Sequence, residues 1–234
     1  MYNQRTKCYV QNIIKLKNAV TINLLLLKNK ETFEDTHAFV SSLRPDFVHC
    51  PITDVVWDAN MSKESIQNVV NIQSIPSEDP NSNIAHEFLI NDNSDLIIYS
   101  GPPGVVLDKI TLSKPKNKLL HCHSGLLPIF KGSTTIFYSA LINNTISATL
   151  FEMNAEIDNG VVLATVSYTL KHQIDFLTFE SVTDSAIRWR VLEKYILNLE
   201  NKASSEIQQV EKENTFFICH PIIRSAIYLR SAKR

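Results

Sequence analysis

The sequence predicts an α/β protein: a Rossmann-like, mostly parallel sheet flanked by helices, with a short C-terminal helical extension. Three observations carry that prediction. Apolar runs of strand length, at residues 20–27 and 95–101, alternate with stretches of helical spacing. The first run is nearly continuous in apolar residues, as parallel strands covered on both faces are. Finally, a doubly wound fold opens on a central strand, and residues 1–7 are too polar to supply one, so the first strand reads as missing or degenerate.

The elements follow in order. Val10, Ile13 and Ile14 give a helix over residues 8–18, ahead of the strand at 20–27. A modest helix over 33–43 ends before Pro45. Residues 47–50 suit a short strand, 61–70 a helix and 69–73 another strand. A loop by composition fills 75–82, and a helix over 84–90 leads to the buried strand 95–101. After Gly132, Ser and Thr are good capping residues for a helix over 133–142. Strands at 146–153 and 161–170 precede a long helix over 175–199, with Phe176, Phe179, Val182, Ala186, Trp189, Leu192, Ile196 and Leu199 as its apolar stripe. Acidic residues near its start suit the helix dipole. Residues 216–229 are an apolar tail, able to fold back on the core or to pair in a homodimer.

Composition narrows the classes. The 234 residues suffice for one α/β domain with extra elements, and a net charge of -1 gives no reason to expect nucleic acid or an anionic membrane. No apolar run approaches the ~20 residues that span a bilayer. Cys8, Cys50, Cys122 and Cys219 lie far apart and form no C-x-x-C pair, which fits free thiols in a reducing compartment. With no secretion signal legible at the start, the expected location is cytoplasmic.

Groups able to exchange protons concentrate in residues 119–163. Side chains alternate along a strand, so His121 and His123 share one face and Cys122 takes the other. Imidazoles are the side chains whose ordinary pKa lies nearest neutrality. Downstream, Asp158 precedes Asn159-Gly160, where glycine allows a sharp turn into a new strand. If the two regions adjoin, the carboxylate can orient an imidazole. The loop Gly101-Pro102-Pro103-Gly104 is a second candidate, because ligands of open α/β sheets settle beyond the carboxyl ends of strands.

The run His121-Cys122-His123-Ser124-Gly125-Leu126-Leu127-Pro128, then Lys131-Gly132, then Asp158-Asn159-Gly160, resembles the formyltetrahydrofolate-dependent formyltransferases, whose pattern is N-x-H-x-S-L-L-P, R-G and D-x-G. His121 stands where the family has Asn, Gly125 where it has Ser, and Lys131 where it has Arg. His121 followed by Gly132-Ser133-Thr134-Thr135 is similar to nucleotide-sugar N-formyltransferases of pseudaminic-type pathways. The resemblance implies His121, His123 and Asp158 as catalytic residues, with Asp158 fixing the His123 tautomer and His121 donating to the oxyanion. It implies N10-formyltetrahydrofolate as formyl donor, held by Tyr99, Gly101, Pro102, Pro103, Gly104 and Gly160. Lys131, Ser133 and Thr134 would meet a primary amine, first choice a nucleotide-linked amino sugar of surface-glycan biosynthesis. Residues 1–170 would be the domain carrying cofactor and catalytic sites, with 171–234 a helix and tail packed on the same core.

Blander readings stand beside these. Two His on one face plus a carboxylate could ligate Zn or Fe in a hydrolase, but a third ligand is lacking nearby and the Pro128, Gly132 and Gly160 order is then unexplained. The histidines could be satisfied core residues, and Ser133 and Thr134 simple caps. A homologue that keeps a folate pocket without turnover is the alternative from another class.

Overall fold

The computed structural model describes residues 4–16, 21–27, 47–62, 64–101, 104–170, 179–200 and 215–231. Helix α1, Gln4–Lys15, comes first, and no strand precedes it among the described residues. It buries Cys8, Tyr9 and Val10 and docks on strand β3, Val55–Asp58, where Lys7 Nζ donates to Ala59 O at 2.6 Å and Gln11 Nε2 to Asp58 O at 2.8 Å. Strand β1, Ile22–Leu27, pairs in parallel with β4, Val70–Ile75. β1 is only half covered among the described residues. The helix expected at 33–43 lies outside the described residues.

The strand expected at 47–50 is β2, Phe47–Cys50, and it turns through Asp54 into antiparallel β3. β3 was not expected, because Val55-Val56-Trp57-Asp58 is a short run behind a turn. The helix expected at 61–70 does not form. Among the described residues of that stretch, 64–69 form turns leading to β4, because Ile66 and Val70 are pulled into a small cluster with Val10. Tertiary contact overrides helical spacing there. Helix α2, Asn83–Asn91, starts at Ser82, whose side chain accepts from Ala85 N–H. Strand β5, Ile97–Tyr99, follows, then a single helical turn α3, Lys109–Leu112, capped by Asp108.

The central sheet holds β5, β6 (Leu119–His123), β8 (Thr145–Glu152) and β9 (Val162–Thr169), in the order β5-β6-β8-β9. β5 and β6 run parallel, whereas β8 is antiparallel to both β6 and β9. The α/β class and parallel pairings hold, but this sheet is mixed where a mostly parallel one was expected. The short connection 153–161 between β8 and β9 has no room for a helical crossover, which makes that pair antiparallel.

Between β6 and β8 lie the two-residue strand β7, Lys131–Gly132, and helix α4, Thr135–Asn143. The long helix is α5, Asp184–Glu200, entered through a π-helical turn at Phe179–Thr183. Phe179, Val182, Ala186, Trp189 and Leu192 of the expected stripe are buried, while Leu199 is half exposed. The tail forms strand β10, Thr215–Phe216, parallel to β7, and helix α6, Pro221–Ser231.

One core cluster joins α1, β3, β6, α4, β8, α5 and α6 around Trp57, Phe137, Leu150, Trp189 and Ile227. Truncating Trp189 to Ala would cost about 3–5 kcal/mol. The four cysteines are free and buried, with Cys122 in that cluster, on the face of β6 away from the histidines. No described helix is long and apolar enough to cross a membrane.

Candidate active site

The site forms where β6 ends between two different neighbours. On one side parallel β5 brings Tyr99 opposite His121. On the other, antiparallel β8 places Phe151 opposite His121 and Thr149 opposite His123. The β8–β9 connection then returns over the strand end. Gly160 makes that return possible, since a Cβ there would lie 1.6 Å from Glu152 O. Asp158 has a left-handed backbone, φ 49°, and points back across the turn. Its Oδ2 accepts from Gly132 N–H at 2.8 Å, and its Oδ1 lies 3.5 Å from His123 Nδ1.

His123 is 4% exposed, and burial lowers its pKa against the opposing pull of Asp158. Its Nε2 lies 2.7 Å from the Phe130 carbonyl and 3.2 Å from Thr135 Oγ1, whose own proton goes to Ser124 O. A carbonyl accepts only, so Nε2 carries the hydrogen and Nδ1 keeps a lone pair toward Asp158. The tautomer is therefore fixed by Phe130 O, on the ring's far side from Asp158. What the carboxylate does is stand beside the one nitrogen able to take a proton, ready to stabilise the imidazolium.

His121 is held differently. Nδ1 is 3.0 Å from Tyr99 O, so it is the donor, and Nε2 faces Arg188 Nη1 at 3.4 Å. The ring packs edge-on to Phe151. Burial, then the charges of Arg188 and Arg5, push its pKa well down. With one nitrogen donating to a carbonyl and the other facing a cation, His121 has no N–H left for an oxyanion.

The sequence reading missed the groups beneath this ring. Arg188 is buried on α5, its Nε 3.1 and 2.9 Å from the Asp184 carboxylate and its Nη2 3.0 Å from Ser124 Oγ. Its Nη1 also donates to Cys122 O. Arg5 reaches Asp184 from α1 at 3.4 Å. Burial opposes the charge of Asp184, but Arg188 and Arg5 overcome it and hold the carboxyl down at about 2. The apolar stripe on either side of Arg188 hid it, since a charged residue is seldom buried unless paired. The available signal was Asp184 and Arg188 one helical turn apart.

The remaining candidates divide. Tyr99 gives its carbonyl to His121, while its buried hydroxyl and Arg5 Nε have no partner among the described residues. Burial pushes the Tyr99 phenol up to about 12. Gly101 is covered by the Tyr99 side chain, and Gly104 has φ 82° with open space around it. Pro102 and Pro103 lie outside the described residues. Lys131 is buried, its Nζ 3.1 Å from Asn159 Oδ1. Ser133 gives its N–H to Phe216 O. Thr134 sits at the helix start with φ 52° and makes no capping bond, its hydroxyl bonding Ser133 O and Cys219 N–H instead. Among the described residues no group of three metal-ligating side chains comes together.

No protein-family model matches the chain, and no curated protein matches it in sequence. Solved structures do match. WlaRD, a sugar 3N-formyltransferase solved with dTDP and 5-N-formyl-THF, superposes with a TM-score of 0.55 over 92% of this chain and 66% of its own, at 15% identity. The fold is that of the formyltransferases. HypX from Aquifex aeolicus, in complex with tetrahydrofolic acid, gives a TM-score of 0.52 at 13% identity over 87% of this chain, which spans only 31% of HypX. A looser likeness, TM-score 0.49 at 15% identity, is to the formyltransferase PseJ from Anoxybacillus kamchatkensis, over 83% of this chain and 85% of that one. Within the formyltransferase fold, Gly125 departs from the motif's Ser for a steric reason. A Cβ there would meet Phe130 O at 2.5 Å, His123 Nε2 at 2.8 Å and Thr135 Oγ1 at 2.9 Å.

Proposed function

We propose that the chain transfers a formyl group from N10-formyltetrahydrofolate to a primary amine, on a nucleotide-linked amino sugar of surface-glycan biosynthesis, in the cytoplasm. The observation that carries this reading is His123, buried and locked as the Nε2–H form, with its free Nδ1 beside Asp158. Acyl transfer to an amine needs a base for the proton released as the new C–N bond forms. His123 Nδ1 is that base, and Asp158 stabilises the imidazolium until the proton passes to the departing nitrogen.

The folate supplies an activated formyl carbon. Two buried polar atoms without a partner among the described residues, Tyr99 Oη and Arg5 Nε, sit by the carboxyl end of β5 and fit a ligand rich in hydrogen-bonding groups. Tyr99, Gly101, Gly104 and the adjoining prolines would hold it, while Gly160 serves by closing the turn that carries Asp158. Substrate contact is assigned to Ser133 ahead of Lys131 and Thr134, whose polar ends are engaged within the chain.

The test is incubation with formyltetrahydrofolate and a panel of nucleotide-linked amino sugars, following tetrahydrofolate formation. Turnover with one of them is expected. Folate binding with no turnover on any amine would replace this reading with that of an idle binding homologue.

A further inference from the structure

Arg188 grips the end of β6 on both sides of His123. One guanidinium nitrogen donates to Cys122 O, the residue before, and the other lies 3.0 Å from Ser124 Oγ, the residue after. The first nitrogen also faces His121 Nε2 at 3.4 Å. The planar fork is itself oriented by Asp184 one turn back, through contacts of 2.9 and 3.1 Å from Nε. A buried guanidinium is costly unless its donors are used, and here Asp184 and three atoms of the strand end take four of its five N–H groups. We propose that Arg188 is a positioning residue for the His123 centre: it holds the chain on either side of His123 and, together with the Tyr99 carbonyl at Nδ1, keeps His121 in the Nδ1–H tautomer, a fixed acceptor rather than a donor to the reacting carbonyl.

The kinetic part of this proposal rests on the formyl-transfer reading, and the tautomer part does not. The groups facing His121 are Arg188 of α5, Arg5 of α1, the Tyr99 carbonyl of β5, His123 of β6 and the Phe151 ring of β8. Of these only Arg188 stands at hydrogen-bonding reach of Nε2, so its removal should free that nitrogen.

Long-range proton–nitrogen NMR of the imidazoles in the wild-type protein tests the hold directly. His121 is expected protonated on Nδ1 and bare on Nε2 at neutral pH; an Nε2–H form overturns the proposal. Arg188→Lys keeps the charge but loses the fork, and should shift His121 toward a mixture of tautomers. It should also lower kcat roughly a hundredfold, as about 1 Å of misplacement does, with KM for either substrate nearly unchanged. Ser124→Ala should move kcat in the same direction by less. An unchanged kcat in Arg188→Lys, or a loss confined to KM, sinks the positioning role. Circular dichroism of each variant checks the fold, and Ser124→Ala carries the kinetic test if Arg188→Lys does not fold. Should the wild type turn over no amine at all, the formyl-transfer reading fails, while a His121 tautomer unchanged between wild type and Arg188→Lys still overturns the hold assigned to Arg188.

Discussion

His121 and His123 are two residues apart on the same face of the same strand, yet their surroundings give them opposite work. His123 has one nitrogen locked by a backbone carbonyl and the other open toward a carboxylate. His121 has one nitrogen locked by a carbonyl and the other closed by a guanidinium. His123 is buried, His121 is half-buried, and both have lowered pKa values. The lesson is that burial alone does not make a base. The charge beside the free nitrogen does: a carboxylate welcomes the arriving proton, and a guanidinium repels it.

The largest effect should come from His123→Ala, expected to cut turnover by about 10²–10⁴-fold with the circular dichroism spectrum retained. Asp158→Asn should approach that loss, because the amide cannot stabilise the imidazolium. Near-normal tetrahydrofolate release from either would erase the contrast between the rings. Next in size, Gly160→Ala should destabilise by about 1–3 kcal/mol or more, since its Cβ meets the Glu152 carbonyl; urea unfolding measures it.

The pH profile sharpens the same contrast. Both rings have folded-state pKa values below the unfolded one, so as pH falls below about 6.5 the unfolded chain binds more protons and the fold loses stability. That stability is fully present above the unfolded pKa and drains away toward the lower folded values. His121→Asn should flatten part of this slope in thermal unfolding. It should leave the acidic limb of the activity profile in place, because that limb belongs to His123. A limb that moves with His121→Asn would show that ring to be titrating in turnover. The smallest effect is expected from Thr135→Val, which removes one acceptor near His123 Nε2 while Phe130 O stays, for a loss of about 1 kcal/mol in kcat/KM.

Much of this was legible in the residues. The period of two in His121-Cys122-His123 foretold one ring face and one core face, and Cys122 is indeed packed among Leu120 and Leu150. Asp158-Asn159-Gly160 foretold a turn, and the glycine is sterically required. The rest depended on long-range partners. Nothing near His123 in sequence announces Arg188, which arrives from a helix that reads as apolar core. The donor nitrogens of the two rings are set by the carbonyls of Tyr99 and Phe130, with Arg188 at the other nitrogen of His121, and backbone atoms leave no mark in side-chain patterns. The direction of β8 was hidden as well, because a strand buried almost throughout suits either direction and the 124–144 link from β6 is long enough for both. At residues 61–70 helical spacing was real, but packing against Val10 won.

The four sequestered thiols have a practical consequence. Burial pushes the Cys122 thiol up to about 11 and raises Cys8 and Cys219 too, so the native molecule should scarcely react with an alkylating reagent near neutrality. Cys122 lies on the back of the histidine strand. The rate at which it gains mass under pulsed labelling is then a clock for how often that strand lifts from its bed, readable by mass spectrometry with no probe attached.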